Sequence, residues 1–283
     1  LLALLSILAA PARAGAGEQP LLTLVYTANT LGEFRACPTC GKQAEGGLGR
    51  RATVFKELRA GGRDRTLFIA GPYEFTPIVQ RKPESPDLAR ALAQAYAMLG
   101  YDLGVVTPQE REWLAAAGAS LPAAWRTLGS GPQTMDFTRG GLKVAVVLFP
   151  TAPLAGDSAT VETAIRAVQA EAVSARTRAD LVVGVSPWGE AGERRLLEVA
   201  PGAFDLLLGA GRAMGYGVRE TAGCRTLWVR PPFDGRGMVE LRVLSLPHDP
   251  GGWVQGKSFE AKVRTLAWSV PEDPGIVDFF SGL

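Results

Sequence analysis

The sequence predicts an α/β protein whose strands are covered on both faces. Short apolar runs recur along the chain, each closed by glycine, proline or a polar cluster, and segments of helical spacing separate them. Runs that are apolar throughout, rather than alternating, are strands buried on both faces. With 47% hydrophobic and 20% charged residues over 283 positions, the chain has enough apolar mass for one large core or two small ones.

In order, residues 21–26 form the first predicted strand, emptying into the polar loop Thr27, Ala28, Asn29 and Thr30. A helix over 48–59 sets Leu48, Ala52, Phe55 and Leu58 on one face, and Gly61 and Gly62 stop it. Residues 66–70 are the next buried strand, ending at Gly71 and Pro72. Asp87 caps a helix over 88–99, ended by Gly100; 101–106 is a third strand and 110–117 a short helix. A strand over 142–149, a long amphipathic helix over 161–177, a strand over 181–186, a helix around 190–199 and a buried run over 204–208 follow. Residues 225–230 and 238–244 alternate more and read as antiparallel strands about a turn at 233–237. The end, 246–283, is polar and proline-rich, a tail or the start of a linker. In such sheets, sites form at the carboxyl ends of strands.

Charge and histidine content narrow the chemistry. A net charge of +2 gives no global field for nucleic acid or an anionic membrane. The single histidine, His248, excludes a histidine-rich dimetal site, though not an all-carboxylate one. No G-x-S-x-G elbow is present for a serine nucleophile. Leu1 to Ala10 is an apolar run followed by small residues, which reads as an N-terminally incomplete signal peptide over 1–16 and implies a periplasmic or secreted protein. The run is too short to span a bilayer, and no later stretch is a transmembrane candidate. Export makes Cys37 and Cys40, in a C-P-T-C motif, open to three readings: a structural disulfide, a redox or metal-binding thiol pair, or half of a zinc site with Cys224 and His248.

Five strand-end motifs in order carry a resemblance. Y-T-A-N-T-L-G at 26–32 looks like T-N-D-x-H-G; G-G-L-G-R-R-A at 46–52 matches G-G-L-x-R-R-A; and F-I-A-G-P at 68–72 stands where a strand ends in G-D. G-Y-D at 100–102 through Glu110 looks like G-Y-D-x-x-x-x-G-N-H-E. V-G-V-S-P-W-G at 183–189 is similar to a strand ending in S-H-x-G, and D-L-L-L-G-A-G at 205–211 to D-x-x-x-G-G-H. The chain resembles the N-terminal metallophosphoesterase domain of the 5′-nucleotidase family, within the calcineurin-like superfamily, over about 20–245. The resemblance implies a four-layer sandwich of mixed β-sheets flanked by helices.

It also implies a site that this chain has altered. The family's first aspartate falls on Asn29 and its histidine on Leu31. The bridging aspartate falls on Pro72, the asparagine–histidine pair on Pro108 and Gln109, and the later histidines on Pro187 and Gly211. Leucine, proline and glycine side chains offer a metal no donor atom. The expectation is a dismantled dimetal site, no cofactor, and a non-catalytic role or a repurposed binding or thiol function, with a small molecule or a protein as partner. Glu33, Glu74, Glu110, Trp188 and Arg212 are the candidate pocket, and Arg50 and Arg51 candidate anion contacts at a helix start. The alternative is an active phosphoester or nucleotide hydrolase holding Mg²⁺ or Mn²⁺ on Glu33, Glu74 and Glu110.

Overall fold

The computed structural model describes residues 19–36, 44–76, 85–151, 158–213, 215, 217–247 and 251–283. The chain opens with β1 (Leu22–Thr27), α1 (Leu48–Ala60), β2 (Thr66–Ala70), α2 (Pro86–Leu99), β3 (Leu103–Val106), α3 (Pro108–Ala116) and β4 (Trp125–Thr127). It continues with β5 (Gln133–Arg139), β6 (Leu142–Leu148), α4 (Ser158–Arg176), β7 (Leu181–Ser186), α5 (Gly189–Val199), β8 (Leu206–Gly209), β9 (Gly217–Glu220) and β10 (Leu227–Arg230). Then come β11 (Gly237–Val243), β12 (Phe259–Thr265) and the short α6 (Pro274–Val277).

Two six-stranded mixed sheets result, ordered β12-β11-β1-β2-β3-β4 and β5-β6-β7-β8-β10-β9. Side chains alternate across each strand, so β1 sends Leu22, Leu24 and Tyr26 to the core between the sheets and Val25 to the layer beneath the helices. The inter-sheet core joins these residues to Leu67, Val105, Val146, Val183, Leu206 and Leu241. Outside the first sheet, Phe55 of α1, Leu92 and Tyr96 of α2 and Ile276 of α6 bury Phe68 and Met238. Outside the second, Ile165 and Val168 of α4 and Leu196 of α5 cover Val182 and Leu207. The order helix, sheet, sheet, helix is the expected four-layer sandwich.

Several boundaries differ from the sequence reading. The cap of α2 is Ser85, not Asp87: its side chain accepts the Asp87 N–H at 3.1 Å, with Pro86 at the first helical position. Helix α3 starts two residues earlier, because Thr107 and Glu110 form a reciprocal capping box. The segments read as a pair about the 233–237 turn lie in different sheets. β10 pairs with β8 and β9, whereas β11 pairs with β1 and β12, so the turn carries the chain from one sheet to the other. Beyond residue 245, β12 pairs with β11 over seven residues, and Lys56 of α1 forms an ion pair with Asp273 ahead of α6. The segment read as a tail is thus joined to the first sheet. Among the described residues, no helix is long and apolar enough to cross a membrane.

Candidate functional site

The carboxyl ends of β1, β2, β7 and β8 meet on one rim between the two sheets, where α3 joins them through Glu110. Asn29 adopts a left-handed backbone (φ 56°) and donates its N–H to the Pro72 carbonyl at 3.2 Å. Its Oδ1 accepts the Gly211 N–H at 2.9 Å, tying the first sheet to the second. Leu31 (φ 60°) donates its N–H to the Tyr73 carbonyl at 2.9 Å. Tyr73, also left-handed at φ 67°, belongs to the inter-sheet core, and its hydroxyl donates to the Pro187 carbonyl at 3.3 Å. Three non-glycine residues held in this sparsely populated region form a local strain that the surrounding hydrogen bonds sustain. Burial pushes the Tyr73 hydroxyl up to about 12, so it remains a donor at any ordinary pH.

Each half of the rim rests on a buried ion pair. In the first, Arg51 of α1 donates to Glu74 Oε2 at 3.1 Å and to Thr30 Oγ1 at 2.7 Å. The same carboxylate accepts the Thr27 hydroxyl at 2.5 Å and the Tyr96 hydroxyl at 2.7 Å, while Tyr101 bonds Thr27 and Arg51. In the second, Glu193 of α5 accepts the Arg230 guanidinium and the Trp228 indole N–H on Oε2. Arg230 then donates to the carbonyls of Gly211 at 2.9 Å and Arg212 at 3.3 Å. Glu74, Arg51, Glu193 and Arg230 are all fully buried. Buried charges persist only when paired and further hydrogen-bonded, as both pairs are.

The predicted site residues divide accordingly. Asn29, Pro72, Pro187 and Gly211 converge on the rim and are buried; Leu31 and Pro108 are half-buried beside it, and Gln109 is exposed. Glu110 spends both carboxylate oxygens on the N–H groups of Tyr73, Phe75 and Thr107 at 2.9–3.1 Å, fastening α3 to the segment after β2. Burial pushes its carboxyl up to about 7, against the pull of those donors. Trp188 lies in the outer core of the second sheet, its indole N–H on the Pro150 carbonyl at 2.7 Å. Glu74, Glu110 and Trp188 are therefore buried interior groups on protein partners, while Glu33 and Arg212 are exposed. The anion reading of Arg50 and Arg51 gives way to ion pairs with Glu272 at 3.3 Å and with Glu74. Cys37, Cys40 and His248 lie outside the described residues. Cys224, half-buried, donates its thiol to Glu220 at 3.5 Å, and that bond pushes its titration upward.

The donor set does not suit a dimetal centre. Leu31, Pro72, Pro187 and Gly211 supply no side-chain ligand, and the one oxygen of Asn29 is committed to Gly211. Among the described residues, no three His, Cys, Asp or Glu side chains group to hold a metal.

Glu193, Arg230, Thr27, Tyr26, Tyr96 and Tyr101 were not singled out from the sequence. A charged residue closing an apolar strand at Arg230 was the available signal, together with Glu193 on the α5 face that buries Leu196.

A two-sheet sandwich whose strand ends gather on one rim can be compared with solved structures. The 5′-nucleotidase precursor of Thermus thermophilus superposes with a TM-score of 0.65 at 15% identity, over 92% of this chain and 58% of its own. The chain has the metallophosphoesterase fold. The sulfate thiohydrolase SoxB of Thermus thermophilus, solved with glycerol, gives 0.66 at 16% identity over 93% of this chain and 60% of its own. The calcineurin-like phosphoesterase YfkN of Bacillus subtilis gives 0.55 at 15% identity over 93% of this chain and 96% of its own. This metallophosphoesterase-fold chain thus spans about 60% of the length of the first two, at identities that speak to fold alone. No protein-family model and no curated protein matches it.

Proposed function

We propose that this chain is a metallophosphoesterase-fold protein that no longer performs dimetal hydrolysis at the inherited rim and acts instead by binding or through its thiols. One observation carries the reading: the rim is closed by protein hydrogen bonds where a dimetal centre needs open ligands. The Asn29 amide oxygen is held on Gly211 and the Tyr73 hydroxyl on Pro187. Two metals on such a rim supply the Lewis acidity and the activated hydroxide of hydrolysis, and residues without donor atoms cannot replace them.

The thiol part of the proposal rests on the C-P-T-C motif in an exported chain. The ends of that loop are fixed beside the start of α1, where Leu48 donates its N–H to the Phe34 carbonyl at 3.0 Å. Export itself rests on the apolar run over 1–10. N-terminal sequencing of protein recovered from the periplasm or medium checks it; recovery in the cytosol with the run intact refutes it.

The main test is nucleotidase and phosphodiesterase assay with added Mn²⁺, beside metal analysis of the purified protein. The expected result is no metal-dependent turnover and no stoichiometric metal. Turnover that rises with Mn²⁺ and disappears with chelator would overturn the reading. Thiol counting before and after mild reduction separates the cysteine roles: a pair that reduces readily supports redox use, and one that resists is a structural staple.

A further inference from the structure

The rim accounts for the strand-end motifs but not for C-P-T-C at 37–40, and both stems of the loop that carries it rest on the far end of the chain. The incoming stem is Phe34, Arg35 and Ala36. Phe34 stacks on Phe280 with ring centroids 4.4 Å apart and planes 27° from parallel, and Arg35 donates to the Leu283 carbonyl at 2.5 Å. Phe280 is buried in the core outside the first sheet, so this stem is seated on the interior. The outgoing stem enters α1 through Gly46 and Gly47. Gly46 donates its N–H to the Leu266 carbonyl at 2.9 Å. A Cβ on Gly47 would lie 3.1 Å from the Ala36 nitrogen, so the two stems also touch each other.

The segment that makes these contacts is itself tied down. Leu266, just past β12, donates its N–H to the Arg236 carbonyl at 2.8 Å. Asp273 donates its N–H to the Gly49 carbonyl at 3.1 Å and pairs with Lys56, and Glu272 pairs with Arg50 at 3.3 Å. Residues 266–283 therefore brace the start of α1 and hold the loop at both of its stems.

We propose that this brace is the positioning element of the C-P-T-C motif and sets how firmly its two cysteines are joined, a role that rests on the thiol reading of that motif. A disulfide tolerates only a narrow backbone separation, about 4.4–6.8 Å between Cα atoms. A loop with both stems held samples fewer conformations as a dithiol, so it loses less freedom when the bond closes. Releasing one stem returns that freedom to the dithiol and makes the disulfide easier to reduce. Freeing the backbone of about one residue corresponds to roughly 5-fold in this equilibrium. Phe280 and Leu283 are thus positioning residues, acting on the thiols through Phe34 and Arg35.

The test equilibrates the full chain with dithiothreitol at graded ratios of its reduced and oxidised forms. Two electrons and two protons pass from the reagent to the Cys37–Cys40 disulfide, and alkylation followed by mass spectrometry reads the fraction reduced. Phe280→Ala is expected to shift the equilibrium roughly 5-fold toward the dithiol, and Arg35→Met to shift it the same way by a smaller factor. Trp268→Ala, an exposed position in the same segment, is expected to leave it unchanged. Cys224, between β9 and β10, reports general loosening, and its alkylation rate is expected to stay at the wild-type value. Equal equilibria in the wild type, Phe280→Ala and Arg35→Met overturn the brace and leave the thiol reading standing. A shift accompanied by faster alkylation of Cys224 also overturns it, because the whole molecule has then loosened. A pair that exchanges with dithiothreitol in no variant sinks the thiol reading and the brace together. Should Phe280→Ala fail to fold, Arg35→Met, a change at an exposed stem residue, decides alone.

Discussion

Single residues hold the rim shut, and their replacement has calculable effects. Tyr73→Phe removes one hydroxyl from the Pro187 carbonyl and is expected to cost about 1 kcal/mol in urea unfolding; Tyr73→Ala also empties ring volume between the sheets and should cost about 3–5 kcal/mol. Arg51→Met leaves Glu74 buried without its cation and should cost about 3–5 kcal/mol, with less loss for Arg51→Met combined with Glu74→Gln. Thermal unfolding of the three variants checks this; a double variant as unstable as the sum of both singles refutes the coupling. Gly209 has no room for a side chain: a Cβ there meets the Glu193 carboxylate, so Gly209→Ala should destabilise by about 1–3 kcal/mol. The rim positions Asn29, Leu31, Pro72, Pro187 and Gly211 were legible as a motif because strand ends keep their order in sequence. Their partners were not. Arg51 and Glu74, like Glu193 and Arg230, come from different elements, and nothing in a linear pattern pairs a helix arginine with one particular glutamate.

At the scale of elements, the sequence shows best what is buried on both faces. β1, β2, β6, β7 and β8 are mainly apolar runs, with Thr23 half-buried in β1 and Lys143 exposed in β6, and were all anticipated. β4, β5, β9 and β12 were not, because they are short or half-exposed and their residues are mostly polar or charged. β12 illustrates why the polarity is there. It is an edge strand, and its Glu260, Lys262 and Arg264 pair with Arg242 and Glu240 of β11 while guarding the open edge against a second chain. A chain ending at 245 would expose the edge of β11, including buried Val239 and Leu241, and is expected to be recovered as aggregate. Size-exclusion chromatography of the truncated and full chains decides this; a soluble, cooperatively folding truncation would make β12 dispensable.

The molecule as a whole has a stability profile set by a few interior acids. Burial raises Glu110 and Glu193 to about 7, above their unfolded values, so they stabilise fully below about 4.5 and this contribution is lost as pH rises to about 7. Asp102 runs the other way: despite partial burial, Arg63, the Phe68 N–H and Arg139 hold it below 3.8, and its contribution is lost as pH falls through that lowered value. Maximum stability is therefore expected on the acid side of neutrality, read from urea midpoints across pH; a profile rising steadily from pH 4.5 to 7 would contradict it.

The chain's passage between its two sheets has a consequence for time rather than for shape. All of the second sheet, β5 to β10, comes from one continuous stretch, 133–230, set into the middle of the first. β1 cannot meet its neighbour β11 until that stretch has been made, since Leu24 pairs with Leu241. On the ribosome, at roughly 5–20 residues per second, the inserted sheet has all its strands in hand before the first sheet can close around it. Non-local closure of this kind is slow. The rim, which needs Asn29 from the first strand and Gly211 from the inserted sheet, is accordingly among the last parts of the molecule to be born.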